Sequence, residues 1–353
     1  MQRLTRMDGL RGVLAVYVLL GHAMPFTDVP GWMAAPFRHG EAAVDLFFAL
    51  SGLVMVNSLE RFGARFWPFM AARARRLLPV YFVVLALSVA LLAAGNPLPA
   101  MPWVGLAARN IMEPVPPPDF AWHLAAHVLL LQGVIPQGVL PYAYVTLLGP
   151  AWSLSTEWQF YVVMGLTAPK RLGGFALGML ALGALYHLVH LPPWWQFSRA
   201  FLPFAAPYFA LGLGSTVLLR GGGVKVFVIC LAGACAIGAL GGAEKALVPL
   251  VWAVAMLAQR QKWGAVLESR GAQYLGAISY PLYLLSEPVQ RGLAMLLAPL
   301  ARGDAALFTW AWLPPAILLP VAAAALLHHN VEARFMREQK NFLFPVIARP
   351  VQQ

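Results

Sequence analysis

RARRLLPVYFVVLALSVALLAAG, Arg73 to Gly95, is the stretch on which the reading turns. From Leu77 onward it carries no charged side chain, and at 1.5 Å per residue a helix of that length spans about 28 Å. A bilayer's hydrocarbon core is about 30 Å thick, so the run reads as a membrane-crossing helix with its arginines left in water at one end. Leu172–Leu191, Ala200–Leu219 and Ala305–Leu327 are also uncharged and long enough. Over the 353 residues, 60% are hydrophobic and 11% charged, against about 25% charged in a soluble domain, which excludes one large soluble core.

Working outward from these runs gives an all-α, polytopic membrane helical bundle. Ten crossings are expected, at 10–27, 42–59, 77–95, 151–168, 172–191, 202–219, 226–243, 246–259, 272–298 and 307–327. The net charge of +11 does not indicate a nucleic-acid partner, because the cations form short clusters between apolar runs. With the N-terminus inside, 19 lysines and arginines fall on the inner side and 6 on the outer, so both termini are expected in the cytoplasm. A multi-pass protein of the cell membrane follows, with the bacterial inner membrane the natural setting. The basic N-terminus before an apolar run resembles a signal peptide. The run contains Arg11, Gly21 and His22, and retention as a signal-anchor helix is expected.

The chain reads as a single transmembrane domain over 1–353. Residues 95–150 form an outer-side loop whose weak apolar stretches, Trp103–Met112 and Trp122–Val134, flank the proline-rich 114–118. Making either stretch a crossing breaks the charge parity downstream, so they read as interfacial or re-entrant pieces. Residues 328–353 read as a cytoplasmic tail. No repeat of 20–50 residues is visible, which gives a repeat-built transporter no support.

Polar residues inside hydrocarbon are costly and each asks for a reason. Arg11 and His22 stand at the two ends of the first helix, roughly 16 Å apart along its axis. They read as an interfacial arginine and a core histidine, or as two parts of a site. Asp45, in the outer part of the second helix, falls near the depth of His22, where a carboxylate fixes an imidazole's tautomer; a hydrated helix cap is the plainer reading. Arg73 and Arg76 share one helix face. With Arg11 they suit phosphate groups, although arginines at a helix end also serve simply as topology determinants. Ser153, Glu157 and Tyr161, at i, i+4 and i+8, make a polar stripe that must face protein or a water-filled cavity. His123 and His127 have the spacing of a metal pair but lack a third ligand, so no metal is expected. Glu287 and Arg291, four apart, suit an internal ion pair, and His328 and His329 suit a helix end.

Five segments, in order, carry a resemblance: Met7–Gly12 through Gly21-His22, Val44–Gly52, Arg73–Tyr81, Trp152–Tyr161 and Gly276–Leu284. Together they resemble the acyltransferase-3 family of integral membrane acyltransferases, which are O-acetyltransferase-like. The resemblance implies a cytoplasmic acyl-CoA donor, acetyl-CoA by preference, and a hydroxyl-bearing glycan or glycoconjugate acceptor on the far side, with membrane lipids around the bundle. It makes Arg11 and His22 functionally essential, and likewise Arg73 and Arg76. One departure stands out. Where the family often has a histidine, in a Tyr-Leu-x-His-x-Pro context, this chain has Leu284-Leu285-Ser286-Glu287-Pro288.

The mechanism expected from this resemblance places the donor phosphates on Arg11, Arg73 and Arg76. His22 acts as general base on an acceptor hydroxyl, with Asp45 or Glu157 orienting its ring, or else as a covalent acyl relay. Trp152, Ser153, Ser155 and Tyr161 form the expected substrate-binding set, the hydroxyls being candidate oxyanion donors. The alternative is a transporter or flippase for a lipid-linked or secreted saccharide, which the polar stripe and the re-entrant segments suit equally.

Overall fold

A computed structural model describes residues 4–105, 116–259 and 261–336. Parts of the expected Trp103–Met112 and proline-rich stretches, and most of the 328–353 tail, lie outside these residues. Eleven helices of nine residues or more are present among them, and no strand. They are α1 (Thr5–Ala23), α2 (Gly40–Arg61), α3 (Phe66–Ala94), α4 (Phe120–Val128), α5 (Ala151–Thr167), α6 (Leu172–Leu188), α7 (Leu202–Leu219), α8 (Val224–Leu240), α9 (Ala243–Ala258), α10 (Arg270–Leu297) and α11 (Ala305–Leu327).

A helix stands at each of the ten expected crossings, and α4 is the additional short one. Five segments are long and apolar enough to cross a membrane: Thr5–Phe26, Gly31–Arg61, Phe66–Ala94, Leu202–Leu219 and Ala305–Met336. α6 and α8 are apolar but, at 17 residues each, shorter. The molecule is thus a helical membrane protein by architecture.

Burial sorts the helices into centre and rim. The span containing α7 is 78% buried within the protein, against 22% for that containing α11. α7 packs against α2 and α6, while α1 runs parallel to α10. Both central pairings depend on glycine. A side chain at Gly12 would stand 2.6 Å from the Gly276 nitrogen, and one at Gly212 would stand 2.0 Å from the Ala49 carbonyl oxygen. Small residues let backbones approach this closely, which is how helices associate where no hydrophobic drive separates protein from lipid. The Gly12–Gly276 contact fixes a register: ten residues beyond it on α1 lies His22, and ten beyond it on α10 lies Ser286.

Among its described residues, the connection between α3 and α5 is mostly turns around α4. Buried non-helical backbone must find partners, and side chains of α3 and α5 supply them. The Tyr81 hydroxyl donates to the His127 carbonyl at 2.8 Å and the Ser88 hydroxyl to the Leu147 carbonyl at 2.6 Å. Ser155 donates to the Leu130 carbonyl at 2.7 Å and accepts from the Gly133 N–H at 3.1 Å.

The C-terminal helix does not stop at Leu327. It passes through a π-helical turn, His328–Glu332, and remains helical to Met336. That turn carries Glu332 into the protein, where it is 2% exposed.

Candidate active site

Arg11 on α1, Arg73 and Arg76 on α3, and Ser153, Glu157 and Tyr161 on α5 line one cavity of about 580 Å³. The cavity begins among Leu4, Arg61 and Met336, at the end of the bundle that holds the start of α1, and reaches up to Phe47, Ser153 and Tyr283. The sequence-derived stripe at i, i+4 and i+8 therefore faces a cavity.

Three cations converge there. The Nε groups of Arg11, Arg73 and Arg76 are buried and have no hydrogen-bond partner. Glu157 and Asp8 are carboxylates in the same lining, and the Ser51 hydroxyl on α2 donates to Glu157. Arg76 has a second neighbour, Glu332, at 3.8 Å, and Glu332 is itself held by His328 Nδ1 at 2.8 Å. Buried N–H donors without partners are expensive, and guanidinium groups gathered around one space have the chemistry that suits a polyanion.

His22 stands outside the cavity lining, beyond its upper end. Its Nδ1 lies 3.1 Å from the Ser286 hydroxyl oxygen, and Ser286 donates to the Tyr283 carbonyl at 3.0 Å. A hydroxyl has one proton. With that proton on the carbonyl, the oxygen accepts from Nδ1–H, and Nε2 keeps its lone pair. That arrangement of the Ser286 proton is the one that suits a general base at Nε2.

Asp45 and Glu157 do not orient this ring. Asp45 is buried against the Tyr208 hydroxyl, toward Lys245, and Glu157 faces the arginines. The reason is geometric: α2 presents Asp45 to α7, whereas α10 presents Ser286 to α1. Trp152 and Ser155 are likewise absent from the cavity wall. Trp152 lies under the Arg199 guanidinium, 4.7 Å from its ring centroid, and Ser155 is committed to the loop backbone. The hydroxyl of Ser155 is spent on structure, so its expected substrate contact is not made.

His127 Nδ1 donates to the His123 carbonyl at 2.9 Å, an i, i+4 helix contact, and burial pushes its imidazole down to about 4. Among the described residues no three His, Cys, Asp or Glu side chains cluster as metal ligands. Glu287 and Arg291 stay beyond ion-pair distance: Nε and Nη2 of Arg291 are buried without a hydrogen-bond partner. Sequence reasoning gave no role to Ser51, Arg199, Tyr283 or Glu332. Tyr283 lay in a quoted segment, and Glu332 had no signal, because only the π-turn points it inward.

The model of one protein family, described as an acyltransferase domain (acyltransferase 3), matches residues 4–329. The chain belongs to the acyltransferase-3 family. Protein 2 in the picA locus of Rhizobium radiobacter is 30% identical over 164 residues, covering 44% of this chain and 78% of that protein. No solved structure matches the chain. Membership accounts for nearly the whole bundle, and the five segments that carried the resemblance all lie within the matched span. The family and the all-helical fold together support a membrane acyltransferase.

Proposed function

We propose that this protein transfers an acyl group, preferentially acetyl, from a cytoplasmic acyl-CoA to a hydroxyl of a glycan-type acceptor on the far side of the cell membrane. The carrying observation is the cavity in which Arg11, Arg73 and Arg76 present buried, unpartnered Nε groups. Coenzyme A brings a diphosphate and a 3′-phosphate, the chemistry such guanidinium groups hold best. Its pantetheine arm would run from these arginines toward Ser153 and Tyr283, and the thioester would then lie below His22. The lone pair on His22 Nε2 takes the acceptor's proton as the new ester bond forms. About ten crossings with both termini in the cytoplasm, in a single domain, complete the reading; they are supported by the 19-to-6 distribution of cations.

Calorimetric titration of the purified full chain with acetyl-CoA, free CoA and 3′-dephospho-CoA tests the donor site. Saturable binding of the first two, weakened at least about tenfold without the 3′-phosphate, is expected, since a hydrogen bond to a charged group contributes about 1.5–3 kcal/mol. Absence of binding to all three removes the acyl-CoA reading and leaves saccharide transport as the function of the same cavity.

A further inference from the structure

Tyr283 joins the two halves of the site. Its ring lines the top of the arginine cavity, edge-on to Phe47 with centroids 6.0 Å apart. Its carbonyl accepts the Ser286 proton, so the same residue anchors the hydroxyl that fixes His22. Ser286 follows Tyr283 by three residues on α10, about 4.5 Å along the axis, so the phenol sits roughly one turn below the imidazole's partner. The segment lies between Pro281 and Pro288, both inside the helix.

The phenol also has an unusual proton supply. Ser153 Oγ is 2.9 Å from the Tyr283 hydroxyl and 3.2 Å from the Pro150 carbonyl, two acceptors for one proton. When Ser153 donates to the carbonyl, Tyr283 donates to Ser153. When Ser153 donates to Tyr283, the phenolic O–H stays intact and is free to donate to a group in the cavity. The change needs only hydroxyl rotation, with no heavy atom moving. Arg199, over Trp152, adds positive charge on the same side and acts electrostatically on both Tyr283 and His22.

We propose that Tyr283 is a catalytic residue, the hydrogen-bond donor to the thioester carbonyl and to the oxyanion that follows, with Ser153 as the residue that positions it. This rests on the acyl-CoA reading above. The acceptor oxygen forms a bond to the thioester carbon while its proton passes to Nε2 of His22. The carbonyl π pair moves onto oxygen, where the Tyr283 hydroxyl holds it. Collapse breaks the carbon–sulfur bond, and the departing CoA sulfur takes the proton from His22. A preorganised donor at this position, in a site shielded from water, is worth about 10²–10³-fold in kcat.

The test is infrared difference spectroscopy of acetyl-CoA, carbon-13 labelled at the carbonyl, bound to the full chain in lipid nanodiscs. Calorimetric affinity for acetyl-CoA and release of CoA thiol are measured alongside. Binding to the unsubstituted protein should move the carbonyl band to lower frequency. Tyr283→Phe should abolish that shift and lower CoA release by about 10²–10³-fold while keeping donor affinity within about threefold. Ser153→Ala, which keeps the phenol, should weaken both effects, and it carries the test should Tyr283→Phe not fold. A carbonyl band unchanged by the substitutions, or turnover lost only in step with affinity, overturns the assignment. Failure of the unsubstituted protein to bind acetyl-CoA at all overturns the donor reading itself, a separate result.

Discussion

His22 and the arginines make separable demands on single side chains. Ser286→Ala leaves Nδ1 without its acceptor and frees the ring to take either tautomer. One hydrogen bond contributes about 0.5–1.5 kcal/mol, so kcat should fall by about tenfold with donor affinity unchanged, and Ser286→Thr should restore most of it. Arg73→Gln or Arg76→Gln removes a charge from the cavity and should raise the donor KM by about 10–100-fold with a smaller effect on kcat, as steady-state kinetics will show. That the arginines share a face at one helix end was legible in the sequence, although topology explained them equally well. The partner of His22 was not. Asp45 shared its expected depth, but depth along the membrane says nothing about which way a helix is turned, and α2 turns Asp45 toward Tyr208. Ser155 misled for the same reason: two residues from Ser153 on α5, it faces the loop instead of the cavity.

At the level of helices, apolar length alone placed ten elements; α2 and α5 through α11 fell within a few residues of expectation, whereas α3 begins at Phe66, well before the expected 77, because its basic first turns are helical too. Periodicity contributed little, since helices surrounded by both lipid and protein are apolar on all sides. Packing was readable only where glycine marked a contact. Gly12→Val places a side chain where the Gly276 nitrogen is 2.6 Å from the new Cβ, so α1 and α10 must separate. Thermal unfolding in detergent should register a loss of several degrees and a parallel loss of activity, because overpacking costs about 1–3 kcal/mol. Gly178→Ala, within α6, meets nothing within 4 Å and should be neutral or stabilising by about 0.5–1 kcal/mol, the helix-propensity gain of alanine over glycine.

For the molecule as a whole, the first and the last described stretches border the same cavity. Leu4 and Met7 from the beginning and Met336 from the end line its mouth, and the π-turn presses Glu332 against Arg76 and His328. A π-helical turn is rare and concentrates at functional sites. Glu332→Gln removes the carboxylate beside a part-exposed Arg76, and a loose pair of that kind contributes about 1 kcal/mol or less. A slightly lower melting temperature is expected, with donor binding more sensitive to salt as Arg76 loses its anchor. A melting temperature unchanged by the substitution would mean that water already compensates Arg76. The C-terminal stretch was expected as a plain tail; its role in the site depends on a helix that continues past the last apolar residue.

The shared register of α1 and α10 has one more consequence. Gly12 to His22 and Gly276 to Ser286 are equal intervals on parallel helices, joined at both ends, while more than two hundred residues of chain separate them. One residue inserted into either interval turns everything beyond it by about 100° and lifts it by about 1.5 Å, carrying the imidazole or its hydroxyl out of reach. Neither interval is free to lengthen or shorten by itself. Loops elsewhere in the chain can drift in length, but these two distant stretches are held to a common count.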